Sequence, residues 1–171
     1  AEGALVAIGD INHASGQAVA AAIVADGGRA AAFEADVTRT DQFQALVAGA
    51  VEQLGPVDIL VNNAGGATLM GPRTSPFMDA PEEVWRWILE VNIHGTMIGC
   101  QAVLPGMVER RSGRILNFGS IAGVVGLPNW TAYAAAKGAI IAFTKSLACE
   151  VGEYGITVNC ISPGAIQCDG P

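Results

Sequence analysis

Short runs of β-branched and small apolar residues alternate with longer amphipathic runs along almost the whole chain, and few folds accommodate that order. Runs at 5–10, 30–34, 57–62, 114–118 and 156–161 read as strands. Those at 14–25, 40–54, 82–108 and 130–151 read as helices. Gly27-Gly28 closes the first helix, Asp41 lies near the start of the second, and Gly55-Pro56 stops it. A loop rich in Gly and Pro spans 65–81, and Pro105 is expected to end or kink the third helical run. Strands separated by helices of this length must pair in parallel through right-handed crossovers. Such strands are covered on both faces and therefore read as near-continuous apolar runs. The expected fold is a doubly wound parallel sheet, Rossmann-like, in three α/β/α layers. No repeat, linker or low-complexity tract interrupts it, so residues 1–171 read as a single domain.

Composition narrows the partners. The net charge is −7, and no basic run of five or more occurs, which argues against nucleic acid. The apolar stretch of the last helical run is interrupted by Lys137 and Lys145, so no membrane span is expected. Cys100, Cys149, Cys160 and Cys168 form no C-x-x-C pair and are expected as thiols in a reducing cytoplasm. His13 and His94 lie far apart with no ligand spacing around them, so no metal is expected.

Ligands of doubly wound sheets bind beyond the carboxyl ends of the strands. Those exits are Asp10, Asp36-Val37, Asn62-Asn63-Ala64-Gly65, Ser120 and Pro163-Gly164. Each carries a polar side chain or a backbone-exposing residue, and the recurrence marks that end of the sheet as the site.

In this order the exits resemble the classical short-chain dehydrogenase/reductase family. Asn62-Asn63-Ala64-Gly65 is similar to its N-N-A-G segment, and Asn92 in Val91-Asn-Ile-His-Gly95 to the Asn of its helix motif. Ser120 matches the family's catalytic Ser, and Tyr133-Ala-Ala-Ala-Lys137 its Y-x-x-x-K. Val158-Asn-Cys-Ile-Ser-Pro-Gly164 resembles the segment before its substrate loop. The likeness covers essentially the whole chain, and five motifs in order are specific where Y-x-x-x-K alone is not. The family's opening strand, its Gly-rich T-G-x-x-x-G-x-G turn and its closing substrate lid have no counterpart here. Cys168 stands where the family usually has a Thr that touches the nicotinamide amide. The missing first strand would lie between those ending at Asp10 and Asn62, so these two are expected to lack a shared neighbour. The chain is accordingly expected to be a fragment, incomplete at both ends.

The resemblance implies an NAD(P)-dependent oxidoreductase moving a hydride between the cofactor and a secondary alcohol or ketone. Tyr133 would be the acid/base, and Lys137, four residues on and on the same helix face, would favour its phenolate. Ser120 would hold the substrate oxygen, and Asn92 a water that links Lys137 to solvent. Lys137 would also bond the nicotinamide ribose. Asp10, with Ile11, Asn12 and His13 rather than a cation after it, would accept from the adenosine ribose and favour NAD over NADP. Asp36 and Val37 would bracket the adenine, and Asn63, Ala64 and Gly65 would bring backbone to the cofactor, a Cβ at Gly65 intruding on it. Pro163, Gly164 and Ile166 would line the nicotinamide. The substrate would face 66–79 and 121–130, both largely apolar with Arg73 the only cation. Of Trp85 and Trp87, two apart on a helix, one is expected in the core and the other at an interface. Subunits would associate through that helix and the Tyr133 helix as dimers or tetramers. Two other readings compete: a non-catalytic dinucleotide-binding or scaffold protein, and an epimerase or dehydratase holding NAD tightly.

Overall fold

The structure is a computed structural model that describes residues 2–67 and 75–165. Its elements run β1 (Leu5–Asp10), α1 (His13–Ala25), β2 (Arg29–Glu34), α2 (Thr40–Leu54), β3 (Ile59–Asn62), α3 (Glu82–Leu89), α4 (Gly95–Arg110), β4 (Gly113–Phe118), α5 (Thr131–Val151) and β5 (Ile156–Ile161). This is the alternating α/β order expected from the sequence, and every strand pair is parallel. Local chemistry sets several ends. Asn12 caps α1 by accepting from the Ser15 amide at 3.2 Å. Gly55, at φ 97°, closes α2 in a conformation that a side chain would resist.

The sheet is in two pieces. β1 pairs only with β2, and β3–β4–β5 form a separate three-stranded sheet. Among the described residues nothing pairs β1 with β3, as the sequence leads one to expect. The two strands beside the break are also poorly covered. Ile59 and Val61 of β3 are 61% and 50% exposed, and burial along β1 alternates. Their apolar runs suit strands covered on both faces, but here only one face is well packed.

The main core lies between β4, β5, α4 and α5. Met107 and Ile115 are fully buried there with Cys100, Val103, Leu147, Val151, Ile156 and Val158. Helix α2 ties the two sheets together. It packs against β1 and β2 and also against α4. Phe43 reaches the Gly99 backbone, where a Cβ would come within 3.0 Å of its ring and 2.4 Å of Asn62 Oδ1.

The helical run at 82–108 departs from expectation. Pro105 neither ends nor divides it, and α4 continues through it to Arg110. The irregularity lies earlier, in a single π-helical turn at Glu90–His94 between α3 and α4. A proline removes one donor and crowds one carbonyl, whereas a π turn changes the angular position of everything after it. β3 begins at Ile59 rather than 57, although Asp58 already accepts from the Arg114 amide at 2.9 Å. Neither Trp85 nor Trp87 is core: both are half-buried in the single chain.

Candidate active site

Helix α5 carries Tyr133 and Lys137 one turn apart. The Lys137 side chain is buried, and its Nζ donates to the Phe118 carbonyl at the end of β4, at 2.8 Å. Nζ lies 5.6 Å from the centre of the Tyr133 ring. Burial holds the Lys137 ammonium below its usual titration range, since the charged form loses more hydration than the neutral one. Tyr133 is half-buried, with Trp130 packed against it at 5.4 Å and 64° between rings. Such edge-on packing restricts ring rotation without occupying the hydroxyl.

Ser120 follows β4 and starts a 3-10 turn at Ile121–Gly123. Its Oγ accepts from the Ala122 amide at 3.1 Å, leaving its hydroxyl proton able to donate elsewhere. The turn is anchored on two sides. Gly119 and Ile121 donate to the Ile161 and Pro163 carbonyls at 2.8 and 2.9 Å, which ties it to the exit of β5. On the other side Gly123 lies against α5, where a Cβ would fall 2.6 Å from Gly138 N and 2.7 Å from the Lys137 carbonyl carbon. Only glycine fits without moving backbone. This contact brings the Ser120 turn and the Tyr133/Lys137 helix together.

Asn92 sits within the π turn and is fully buried. Its Nδ2 donates to the Ile88 and Gly66 carbonyls, both at 2.8 Å. The carbonyl of Asn92 accepts from Thr96 Oγ1 at 2.7 Å. Its Oδ1 is buried without a protein partner. Polar atoms rarely remain so, and an ordered water is the usual answer. Gly65 stands directly over it: a Cβ there would lie 2.6 Å from Oδ1 and 3.5 Å from Lys137 Nζ. The glycine is thus required by Asn92, a different cause from the close cofactor approach expected from the sequence. A π turn at such a site is a common way to turn one side chain inward.

Below these groups runs a buried polar chain that sequence reasoning missed. Asn62 Nδ2 donates to Asn117 Oδ1 at 2.9 Å, Asn117 Nδ2 to Thr144 Oγ1 at 3.0 Å, and Thr144 Oγ1 to the Ile140 carbonyl at 2.7 Å. It joins β3, β4 and α5, meeting the helix at Thr144, about two turns beyond Lys137. Cys100 lies beside it, and burial pushes its thiol up to about 12. The signal was present as polar residues in otherwise apolar runs, but nothing in a sequence says which of them meet.

Asp10 and Asp36 each serve a local turn of their own. Asp10 Oδ1 accepts from the Asn12 amide at 2.8 Å, which leaves its second oxygen outside that turn. Asp36 Oδ1 accepts from the amide and hydroxyl of Thr38 at 2.9 and 2.7 Å, so much of this carboxylate serves its own turn. Val37 packs on Gly95 of α4. A groove of about 540 Å³ runs between Ile11, Asp36 and Thr38 on one side and Trp87 and Val91 on the other. Asn63, Ala64 and Gly65 are exposed at the end of β3; Pro163 is half-buried and Gly164 exposed. Ile166, Arg73 and Cys168 lie outside the described residues. His13 meets Gln17, and His94 meets Glu90 at 2.7 Å. No group of three or more His, Cys, Asp or Glu side chains is placed to hold a metal among the described residues. No helix described is long and apolar enough to cross a membrane.

Comparison with known proteins agrees with this arrangement. The family model described as short chain dehydrogenase matches residues 1–170. The chain is 39% identical to 2-(S)-hydroxypropyl-CoM dehydrogenase 3 of Xanthobacter autotrophicus over 99% of its own length and 64% of that protein's. It is 40% identical to 3-oxoacyl-[acyl-carrier-protein] reductase FabG of Chlamydia trachomatis over 98% of its length and 66% of that protein's. The crystal structure of NAD+-bound xylitol dehydrogenase superposes with a TM-score of 0.90 at 36% identity, over 95% of this chain and 61% of that one. The chain therefore spans less than two thirds of each of these relatives. A family match over nearly every residue, with its motifs gathered at one end of a parallel sheet, means that the chain belongs to the short-chain dehydrogenase family.

Proposed function

We propose that the protein is an NAD-dependent oxidoreductase that interconverts a secondary alcohol and a ketone, with Tyr133 as acid/base. The observation that carries this reading is Lys137: a buried ammonium, held on the Phe118 carbonyl and one helical turn from Tyr133. A charge is costly to bury, and a site that tolerates one usually uses it.

In the oxidation direction, Ser120 donates its hydroxyl proton to the substrate oxygen and fixes its position. Tyr133, as phenolate, takes the substrate's hydroxyl proton, and the Lys137 ammonium stabilises that phenolate. A water at Asn92 Oδ1 would connect Lys137 to bulk solvent and carry the proton taken by Tyr133 out to it, restoring the phenolate. When bound, the nicotinamide supplies the hydride acceptor, or the donor in reverse.

The residues fit such a group. One of the three Lys137 N–H bonds goes to Phe118, which leaves donors for a ribose hydroxyl and a water. The groove beside Asp36 is within the usual size of ligand pockets, about 300–1,000 Å³. Asn63, Ala64, Gly65, Val37, Pro163, Gly164 and Ile166 would complete the cofactor wall. Asp10 would accept from the adenosine ribose and repel a 2′-phosphate, so NAD is favoured over NADP. The NAD+ named with the xylitol dehydrogenase structure supports that choice. Copies of the chain would associate through the helical run of α3 and α4 and through α5.

The test is Tyr133→Phe in the natural full-length protein, which keeps the ring on Trp130 and removes the hydroxyl. Loss of a positioned acid/base should lower kcat about 10²–10⁴-fold with the fold intact by circular dichroism. Turnover equal to the parent's would overturn the mechanism.

A further inference from the structure

The Tyr133 ring forms part of the wall of a small cavity of about 40 Å³ between the starts of α3 and α5. Phe77, Trp85, Ile88 and Trp130 form its apolar wall, Ser75 and Asn129 add polar atoms, and one side opens to solvent. A site that holds one water needs about 10–15 Å³ on this measure, and one that admits benzene about 150 Å³. The cavity therefore has room for one or two carbon atoms and none for a ring. It lies against the ring proposed to work on the substrate oxygen. By contrast, the stretch after Ser120 is open and apolar: Ile121, Val124 and Val125 are 41%, 64% and 44% exposed.

We propose that this cavity takes the smaller arm of the substrate, a methyl or ethyl group on the carbinol carbon, and that Trp130 sets the size limit. The inference rests on the oxidoreductase reading above and adds a substrate class to it. Trp130 suits the role for two reasons. Its indole is wedged edge-on against Tyr133 at 5.4 Å, so it cannot retreat without freeing the phenol ring. The residue before it, Asn129, holds a left-handed φ of 66°, which fixes how the chain enters α5. The larger arm would lie along the open apolar stretch after Ser120, where length is not limited.

Aryl alkyl ketones with a fixed phenyl arm and an alkyl arm grown from methyl to butyl provide the test. In the natural full-length protein, kcat/KM should vary little between methyl and ethyl. It should fall about 10–200-fold at propyl, the usual cost of one methylene too many in a fitted pocket. Trp130→Ala should move that break to longer arms, so that the propyl-to-methyl ratio rises at least 10-fold. Trp130→Phe, which keeps an aromatic ring against Tyr133, should move it part of the way and guards against loss of α5's start. A break at the same length in all three proteins, with turnover intact, would overturn the size-limiting role of Trp130. A parent profile flat to butyl would overturn the cavity assignment. Both outcomes differ from failure of the underlying reading, in which Tyr133→Phe reduces every ketone as fast as the parent.

Discussion

The two sheets of this protein are built to different standards. The β3–β4–β5 sheet has large side chains packed between it and two long helices, with Met107 and Ile115 fully buried. The β1–β2 sheet has little to bury: Ala20 and Ala35 are among its buried residues, and from α2 Leu46 lies against Gly9 and Gly49 against Phe33. The proposed catalytic groups Ser120, Tyr133, Lys137 and Asn92 all belong to the better-packed part. Asp10, Asp36 and Val37, proposed to meet the dinucleotide, belong to the thinner one. On that assignment, chemistry that needs sub-ångström placement would sit on the better-packed half, and a ligand that can itself bridge elements on the other.

Amide exchange should expose that contrast most strongly. Among the described residues β4 is paired on both sides, whereas β1 and β3 are each paired on one. Inner amides of β4 should open only with the whole molecule, and those on the other edges of β1 and β3 by local motion. The gap in protection should be about 10³-fold or more, within the span from local to global opening. Equal protection in β1 and β4 would mean that the sheets behave as one body.

Core truncation comes next in size. Ile115→Ala should cost about 2–5 kcal/mol in urea unfolding, because it removes buried carbons and leaves a cavity among well-packed neighbours. β1 offers no equivalent target, since Ile8 on its better-covered face is only half-buried. Ile8→Ala should cost clearly less. A larger loss at Ile8 than at Ile115 would reverse the comparison.

Glycines give a smaller and more local contrast. Gly123→Ala forces a Cβ into the Lys137–Gly138 backbone and should cost about 1–3 kcal/mol, with turnover falling as the Ser120 turn leaves α5. Gly27, after α1, has φ 81° and open space around it, so Ala there meets only the backbone preference. About 1 kcal/mol is expected, with turnover as in the parent. Thermal melts and steady-state rates on both variants separate a docking glycine from a turn glycine.

The same contrast explains what could be read from the sequence. The strands and their parallel pairing were legible because each depends on a repeating pattern. Ser120, Tyr133, Lys137 and Asn92 were legible because motif order fixes them. The π turn at Glu90–His94 was not, since the apolar pattern continues through it and a single added residue per turn leaves no compositional mark. The chain Asn62–Asn117–Thr144 was hidden for a different reason: the three residues lie on separate elements, and their meeting depends on strand register. The packing of Gly65 on Asn92 was hidden for the same reason, because the two lie 27 positions apart in the chain.

Acid–base behaviour should divide the molecule last and most gently. Lys137 is buried, so its folded form titrates below the value of 10.5 expected when unfolded. The unfolded chain therefore holds the proton more tightly. That penalty on folding is complete below the folded pKa, shrinks as pH rises above it, and is gone beyond 10.5. Lys137→Met should abolish turnover, yet gain stability relative to the parent at neutral pH, and the gain should fade toward pH 10.5. The thin half should respond at the other end of the scale. Arg39, hydrogen-bonded to Asp41 at 3.3 Å, holds that exposed carboxyl below its usual 3.8. Its small stabilisation is present above 3.8 and lost as pH falls through the lowered value. Melting temperatures of Lys137→Met and Arg39→Met from pH 3 to 10.5 read both effects. A stability difference for Lys137→Met that stays flat across the alkaline range would mean that Lys137 is hydrated, and the buried-ammonium basis for Tyr133 would fail with it.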